Sequence, residues 1–266
     1  MNMPVYFISH GGGPWPYMPE AQQGYARLAA SLRELPAQLP ATPSAVLMVS
    51  AHWEVRGGFG IQSNPRPPML YDYYGFPAHT YQIQYPAPGS PALAARVQQL
   101  LNQAGLENGL DAQRGFDHGA FVPMAVMYPK ADVPMVQLSI DAGYDPARHI
   151  ALGRALAPLR DEGVLILGSG LSYHNLRGLG EPGRVPSARF DAWLQDVVVN
   201  GPPAQRAERL LDWQQAPSAR MAHPREDHLI PLMVAAVAAG EEPATCVYHE
   251  DNAFGAITAS SFRFGG

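Results

Sequence analysis

Three stretches of this 266-residue chain follow one pattern. Val5-Tyr6-Phe7-Ile8-Ser9 runs into His10-Gly11-Gly12-Gly13. Val46-Leu47-Met48-Val49-Ser50 runs into Ala51-His52-Trp53. Val164-Leu165-Ile166-Leu167 runs into Gly168-Ser169-Gly170-Leu171-Ser172-Tyr173-His174-Asn175. Each is an apolar run of strand length that breaks at serine or glycine and then delivers a histidine. Open α/β sheets build their sites in the crevice beyond the carboxyl ends of the strands. Imidazoles His10, His52 and His174, collected at one edge of one sheet, therefore read as a metal site. His118 lies in a glycine-bounded turn, Gly115-Phe116-Asp117-His118-Gly119, and His228 at a helix start beside Glu226 and Asp227, so both are further candidates. His79, His149, His223 and His249 have no such setting and read as structural or solvent-facing, with His223 close to His228.

The alternatives narrow the chemistry. With Cys246 as the only cysteine, a thiolate metal site is excluded. The HExxH helix is absent, and Gly11-Gly12-Gly13 lacks the spacing of either phosphate-binding loop. Gly168-Ser169-Gly170-Leu171-Ser172 does not fit the GxSxG elbow of a serine hydrolase. An all-imidazole donor set suits iron, zinc, copper or nickel, and non-haem Fe(II) where open positions face a pocket.

The elements that must position these residues alternate between strand and helix, which argues an α/β/α sandwich around a central mixed sheet. Strands are expected at Pro4–Ser9, Ala45–Ala51, Met135–Ile140, Val164–Leu167, Ala244–Tyr248 and Ile257–Phe264, with shorter ones at Gly60–Ser63 and Thr80–Tyr85. Helices are expected at Ala21–Leu35, from Ser90-Pro91 to Gly105, and at Ala120–Tyr128, Pro146–Glu162, Ala188–Asn200, Pro203–Gln214 and Leu229–Ala239. Arg56 to Gly89 is rich in proline and aromatic residues, and a loop this long is usually functional. Its Tyr and Phe residues, Tyr85 among them, are candidates to wall a pocket. No linker divides the chain, so residues 1–266 read as one catalytic domain.

Composition excludes several classes. A hydrophobic content of 47% with 15% charged residues describes a compact globular chain. The net charge is −5 and the 18 Lys and Arg are scattered, so no basic stripe exists for nucleic acid. No apolar run approaches the roughly 20 residues of a membrane span. The N-terminus lacks a basic n-region, so no signal peptide is expected, and a single cysteine fits a reducing cytoplasm. Oligomeric state is left open, homo-oligomers included.

Taken together, the sequence resembles the class III extradiol ring-cleaving dioxygenases, in particular the 4,5-DOPA dioxygenase-type branch. The carriers are Ser9-His10-Gly11-Gly12-Gly13-Pro14, Val49-Ser50-Ala51-His52-Trp53, Tyr85-Pro86-Ala87-Pro88-Gly89-Ser90-Pro91, Gly115-Phe116-Asp117-His118-Gly119, Pro134 to Asp141, Gly168 to Asn175 and Glu226-Asp227-His228-Leu229-Ile230-Pro231-Leu232. The resemblance implies Fe(II) ligation by His10, His52 and His228. It implies an acid/base role for His174, which some members use as a ligand, and a substrate-facing His118; Tyr85, from the aromatic loop, is the further substrate-binding candidate. It also implies a small aromatic diol and O2 as reactants. In the protocatechuate branch the third ligand is a glutamate, where this chain has His228 with Glu226 close by. Many relatives carry Gly-His-Gly-Ser where this chain has Ser9-His10-Gly11-Gly12. Two other functions use the same histidines: a zinc hydrolase or amidase, since three imidazoles also suit Zn2+ with an open water position, and a non-catalytic scaffold. Arg177, Arg184 and Arg225 are candidates to meet a substrate carboxylate.

Overall fold

In a computed structural model describing residues 2–266, the apolar runs become one eight-stranded sheet. Its strands are β1 (Val5–Ser9), β2 (Ala45–Val55), β3 (Phe59–Gln62), β4 (Asn108–Asp111), β5 (Met135–Asp141), β6 (Val164–Gly170), β7 (Ala244–Ala253) and β8 (Ile257–Phe264). They lie in the order β4-β3-β5-β2-β6-β1-β8-β7. The central four, β5-β2-β6-β1, are mutually parallel. β8 joins β1 antiparallel and β3 joins β5 antiparallel, so the sheet is mixed. The fully buried runs of β1, β5 and β6 match this centre, since a strand covered on both faces needs apolar residues at every position.

Helices cover both faces, and two neighbours on β6 demonstrate it. A Cβ on Gly168 would collide with the Pro231 carbonyl of the helix Ile230–Ala238. The next residue, Ser169, donates its hydroxyl to the Gly119 carbonyl of the helix His118–Met127, at 2.5 Å. Successive strand residues face opposite ways, so these two helices sandwich the strand. Both helices are buried nearly all round, as central layers of a sandwich must be.

Several boundaries differ from those the sequence suggests. The helix begun by Ser90 is Pro91–Gln103, with the Ser90 hydroxyl accepting from the Leu93 N–H at 3.2 Å. The expected Ala21–Leu35 helix is regular only over Ala26–Glu34. The expected Pro146–Glu162 helix stops at Leu156 and tightens to a 3-10 turn, because Pro158 cannot continue the hydrogen-bond ladder. Thr80–Tyr85 is not a strand: Ala78–Gln82 forms a 3-10 turn. β4 carries no sequence signal, being a half-exposed edge strand containing Gly109. Among the described residues no helix is long and apolar enough to cross a membrane.

Candidate metal centre

The parallel register aligns the strand ends. Ser9 lies opposite Gly170 and Ser50 opposite Ser169, so β1, β2 and β6 deliver their following residues side by side. His10 follows β1 directly. His52 lies inside β2 rather than beyond it, where the pairing with β5 shifts register between Val49 and Glu54. Such an irregularity re-aims a side chain that the regular pleat would send elsewhere. His118 opens its helix behind Asp117, whose carboxylate accepts from Ala120 N–H at 3.1 Å. The same carboxylate accepts from the Ser50 hydroxyl at 2.9 Å, from Arg114 at 2.5 Å and from the Gln137 amide. Arg114 also donates to the His52 carbonyl at 3.3 Å. One buried carboxylate thus ties the His52 strand to the His118 helix. His228 is brought in from the far end of the chain: its carbonyl accepts from Leu171 N–H at 3.1 Å and lies against Gly170, where a Cβ would collide with it.

The five candidate imidazoles converge. Ring centroids of His10, His52 and His228 are 4.9, 5.2 and 4.8 Å apart pairwise. His118 lies 4.0 Å from His52 and 5.3 Å from His10. His174 stacks on His228 at 3.4 Å and 22°. Two carboxylates hold this cluster. Asp72 accepts from His118 Nδ1 at 2.8 Å through one oxygen and faces His52 Nδ1 at 3.3 Å with the other. Asp227 places its oxygens 3.5 Å from His174 Nδ1 and 3.1 Å from His228 Nδ1, the latter off the angle of a good hydrogen bond. A carboxylate can only accept, so His118 Nδ1 carries the hydrogen, and the carboxylates beside Nδ1 of His52, His174 and His228 favour the same tautomer, in which Nε2 keeps its lone pair.

That tautomer suits a cation. His52 Nε2 and His228 Nε2 lie 3.2 Å apart, two lone pairs facing one another. Neither can donate to the other. Two nitrogens each about 2.1 Å from a shared ion would stand roughly 3.0–3.4 Å apart at ordinary coordination angles. His10 is 1% exposed, and neither of its ring nitrogens has a hydrogen-bond partner. A buried imidazole without partners is costly, and a metal ion satisfies it. Burial pushes His10 and His52 well below the usual histidine pKa, and the surrounding imidazoles push them further. Burial lowers His228 to about 4 against the opposing pull of Asp227. All three are therefore neutral near pH 7, the form that binds metal. Burial pushes Asp227 up, but His174 and His228 outweigh it and hold it well below the usual carboxylate range. The donor set thus fits a divalent transition metal: the ligand atoms of His10, His52 and His118 lie within 4.8 Å of one another, as do those of His174, Asp227 and His228, and the His52–His228 contact at 3.2 Å joins the two groups.

A cavity of about 450 Å3 opens onto these five histidines. Tyr85 is not part of it. Its ring is buried elsewhere and its hydroxyl donates to the Met124 and Tyr128 carbonyls at 3.2 and 2.9 Å, so the substrate contact expected of it is corrected to a packing role. Of the aromatic loop, Phe76 reaches the cavity wall. Glu226 is turned to Arg220 at 2.7 Å. Sequence reasoning missed Asp72 altogether and gave Asp227 no role.

Two histidines outside the cluster set an acid limit. His149 accepts from Asp141 N–H at 3.0 Å and donates to the Asp145 carbonyl at 2.7 Å; burial lowers its pKa to about 4. His223 lies against the Ser172 carbonyl at 3.0 Å, and burial lowers it to about 3. Both bind a proton more readily in the unfolded chain, so stability is intact above pH 6.5 and falls as pH drops towards 4. In urea unfolding of the metal-loaded protein these two rings alone are expected to account for a loss of up to about 2.7 kcal/mol per pH unit across that window, two protons' worth, with the cluster histidines adding to it. A flat profile from pH 6.5 to 4.5 would mean these rings are solvated.

Comparison with known proteins decides the family. Residues 4–265 match the family described as the catalytic LigB subunit of aromatic ring-opening dioxygenase. The chain belongs to this family. It is 42% identical over 227 residues to a 4,5-DOPA dioxygenase extradiol of Beta vulgaris, covering 84% of this chain and 83% of that one. It is 39% identical over 251 residues to the protein of the same description from Escherichia coli K12, covering 92% and 88%. A crystal structure of an uncharacterized Escherichia coli K12 protein superposes with a TM-score of 0.79 at 34% identity, over 99% of this chain and 100% of that one. The family is one of ring-opening enzymes, and the histidine cluster is its candidate metal site in this chain.

Proposed function

We propose that the chain is a non-haem Fe(II) extradiol dioxygenase that opens the ring of a catechol-type substrate with O2. The observation carrying this reading is the facing pair of lone-pair nitrogens, His52 Nε2 and His228 Nε2, beside the unpartnered His10 ring. His10, His52 and His228 would hold the ion. Zinc suits the same donors but has no redox chemistry, whereas ring opening by O2 calls for a redox-active metal, so iron is preferred. Bound there, iron would supply that redox activity and lower the pKa of a phenol oxygen brought to it.

The chain's own side chains account for the rest. The cavity holds the diol against the histidines and keeps bulk water away, which makes its encounter with O2 effectively intramolecular. His174, with Nδ1–H turned to Asp227, presents a free Nε2 to take the second phenol proton and later return it. His118, with Nδ1–H turned to Asp72, presents its Nε2 to a substrate hydroxyl, accepting its hydrogen. Asp72 and Asp227 each orient one proposed ligand and one proton-handling ring, so binding and acid/base geometry are set together. The single cysteine suits a reducing compartment, and we assign the enzyme to the cytoplasm.

The test is reconstitution. Chelator-stripped protein reloaded with Fe(II) is expected to consume one O2 per catechol and form a yellow muconic semialdehyde-type product. The Zn2+-loaded form should consume none. Equal turnover with zinc, or no oxygen uptake with iron across a catechol panel, would overturn the assignment.

A further inference from the structure

The cavity wall opposite the histidines carries information about the rest of the substrate. It is built by Met18, Phe76, Leu171, Leu176, Leu179 and Phe254, brought from four separate parts of the chain. Two of these sit at the mouth in water: Leu176 is 69% exposed and Leu179 36% exposed. Large apolar side chains left wet beside a concave site gain most from a ligand that covers them with apolar surface.

The polar groups of the wall are few and partly engaged. Tyr25 accepts from Gly12 N–H at 3.1 Å, and the Tyr173 hydroxyl donates to the Gly178 carbonyl at 3.0 Å. No lysine or arginine lines the cavity. Of the three arginines that the sequence offers for a carboxylate, Arg184 is paired with Glu181 at 2.8 Å and Arg225 with Glu54 and Tyr144, while Arg177 is exposed in the turn between Leu176 and Leu179 and is not among the residues lining the cavity. The charges directly behind and beside the lining are negative. Asp72 and Asp227 back the histidines, and Glu20 and Glu250 line an adjoining cavity that shares Ala21, Tyr25 and Phe254 with this one. A carboxylate on the far end of the substrate would lose its water shell against this wall and find no cation to replace it.

From this wall we infer that the substrate is a catechol whose ring substituent is uncharged and apolar, an alkyl or aryl group, rather than a carboxylate-bearing side chain. The inference rests on the ring-opening reading of the site. The diol faces the histidines while the substituent lies along Leu171, Phe76 and Phe254 and covers Leu176 and Leu179 at the mouth.

The test compares 4-tert-butylcatechol with L-DOPA and 3,4-dihydroxyphenylacetate on iron-loaded protein. In parallel, binding of each is measured by calorimetry under nitrogen. 4-tert-Butylcatechol is expected to show a kcat/KM at least about ten-fold higher than either carboxylated substrate, carried mainly by KM, as one to a few apolar groups in such a pocket achieve. Leu176→Lys, at an exposed position where folding is little affected, should shrink that preference ten-fold or more by favouring the acids. Turnover of L-DOPA or the phenylacetate as efficient as that of the alkylcatechol would overturn the inference, as would indifference to the lysine. Tightest binding of 4-tert-butylcatechol with no turnover of any catechol would sink the ring-opening reading and leave the pocket assignment standing. Failure to bind any of the three would overturn both.

Discussion

Replacing His10 with alanine is expected to empty the metal site while leaving the fold intact. His10 follows a fully buried strand and is itself 1% exposed, yet both ring nitrogens lack a protein partner. In the metal-free protein those atoms are desolvated for nothing, so deleting them removes a penalty of about 1–3 kcal/mol while opening a cavity of comparable cost. The stripped H10A protein should therefore melt close to the stripped parent. The loaded proteins should differ sharply. The parent gains stability as the ion binds only the folded state, and H10A should gain little. Bound iron should drop from about one per chain to near none, and turnover by roughly 1,000-fold or more, because the ligands act as a unit. Metal analysis and paired melting curves with and without Fe(II) provide the check. Full iron occupancy in H10A would place the ion elsewhere, and a large loss in the stripped protein would mean that His10 is a packing residue. The comparison separates a ligand from a structural histidine, which activity alone does not.

What was legible in the sequence was whatever depends on local pattern. The buried strands announce themselves as unbroken apolar runs, and a histidine placed after such a run is placed by geometry at the sheet's carboxyl edge. That is why His10 and His174 could be located without coordinates. His52 owes its place to something else. β2 does not end before it, and an irregular register, a property of two strands together, aims it inward. Asp72 was invisible because its meaning lies in contacts with His52 and His118, while its neighbours Tyr71 and Tyr73 supply only aromatic character. Asp227 was in view beside His228, but nothing local shows that one carboxylate also reaches His174 across the fold. Tyr85 illustrates the converse. Composition identified an aromatic loop but not which rings face the cavity, and the Tyr85 hydroxyl is spent on the carbonyls at the end of the helix His118–Met127.

His174→Gln is expected to keep the iron and lose most of the turnover. His174 lines the cavity, stacks on His228 and turns Nδ1 towards Asp227, which leaves Nε2 as its working atom. Glutamine preserves much of the volume and sets its amide near the place of Nε2, while Asp227 still faces His228 Nδ1 at 3.1 Å, so His228 keeps its neighbour and its orientation. What glutamine lacks is a ring nitrogen that can accept and return a proton. A positioned acid/base group contributes about 100- to 10,000-fold, and kcat should fall within that range while iron per chain stays at the parental value. The contrast with Asp227→Asn sharpens the assignment. That carboxylate serves His228 as well as His174, so its loss should weaken iron binding by about 10- to 100-fold in addition to slowing turnover. If H174Q instead releases iron as H10A is expected to, His174 is a fourth ligand and the proton must be handled by His118, whose Nδ1 is held by Asp72 in the same manner. If H174Q turns over at the parental rate with full iron, neither role belongs to it, and the stacked ring serves only to wall His228 from solvent.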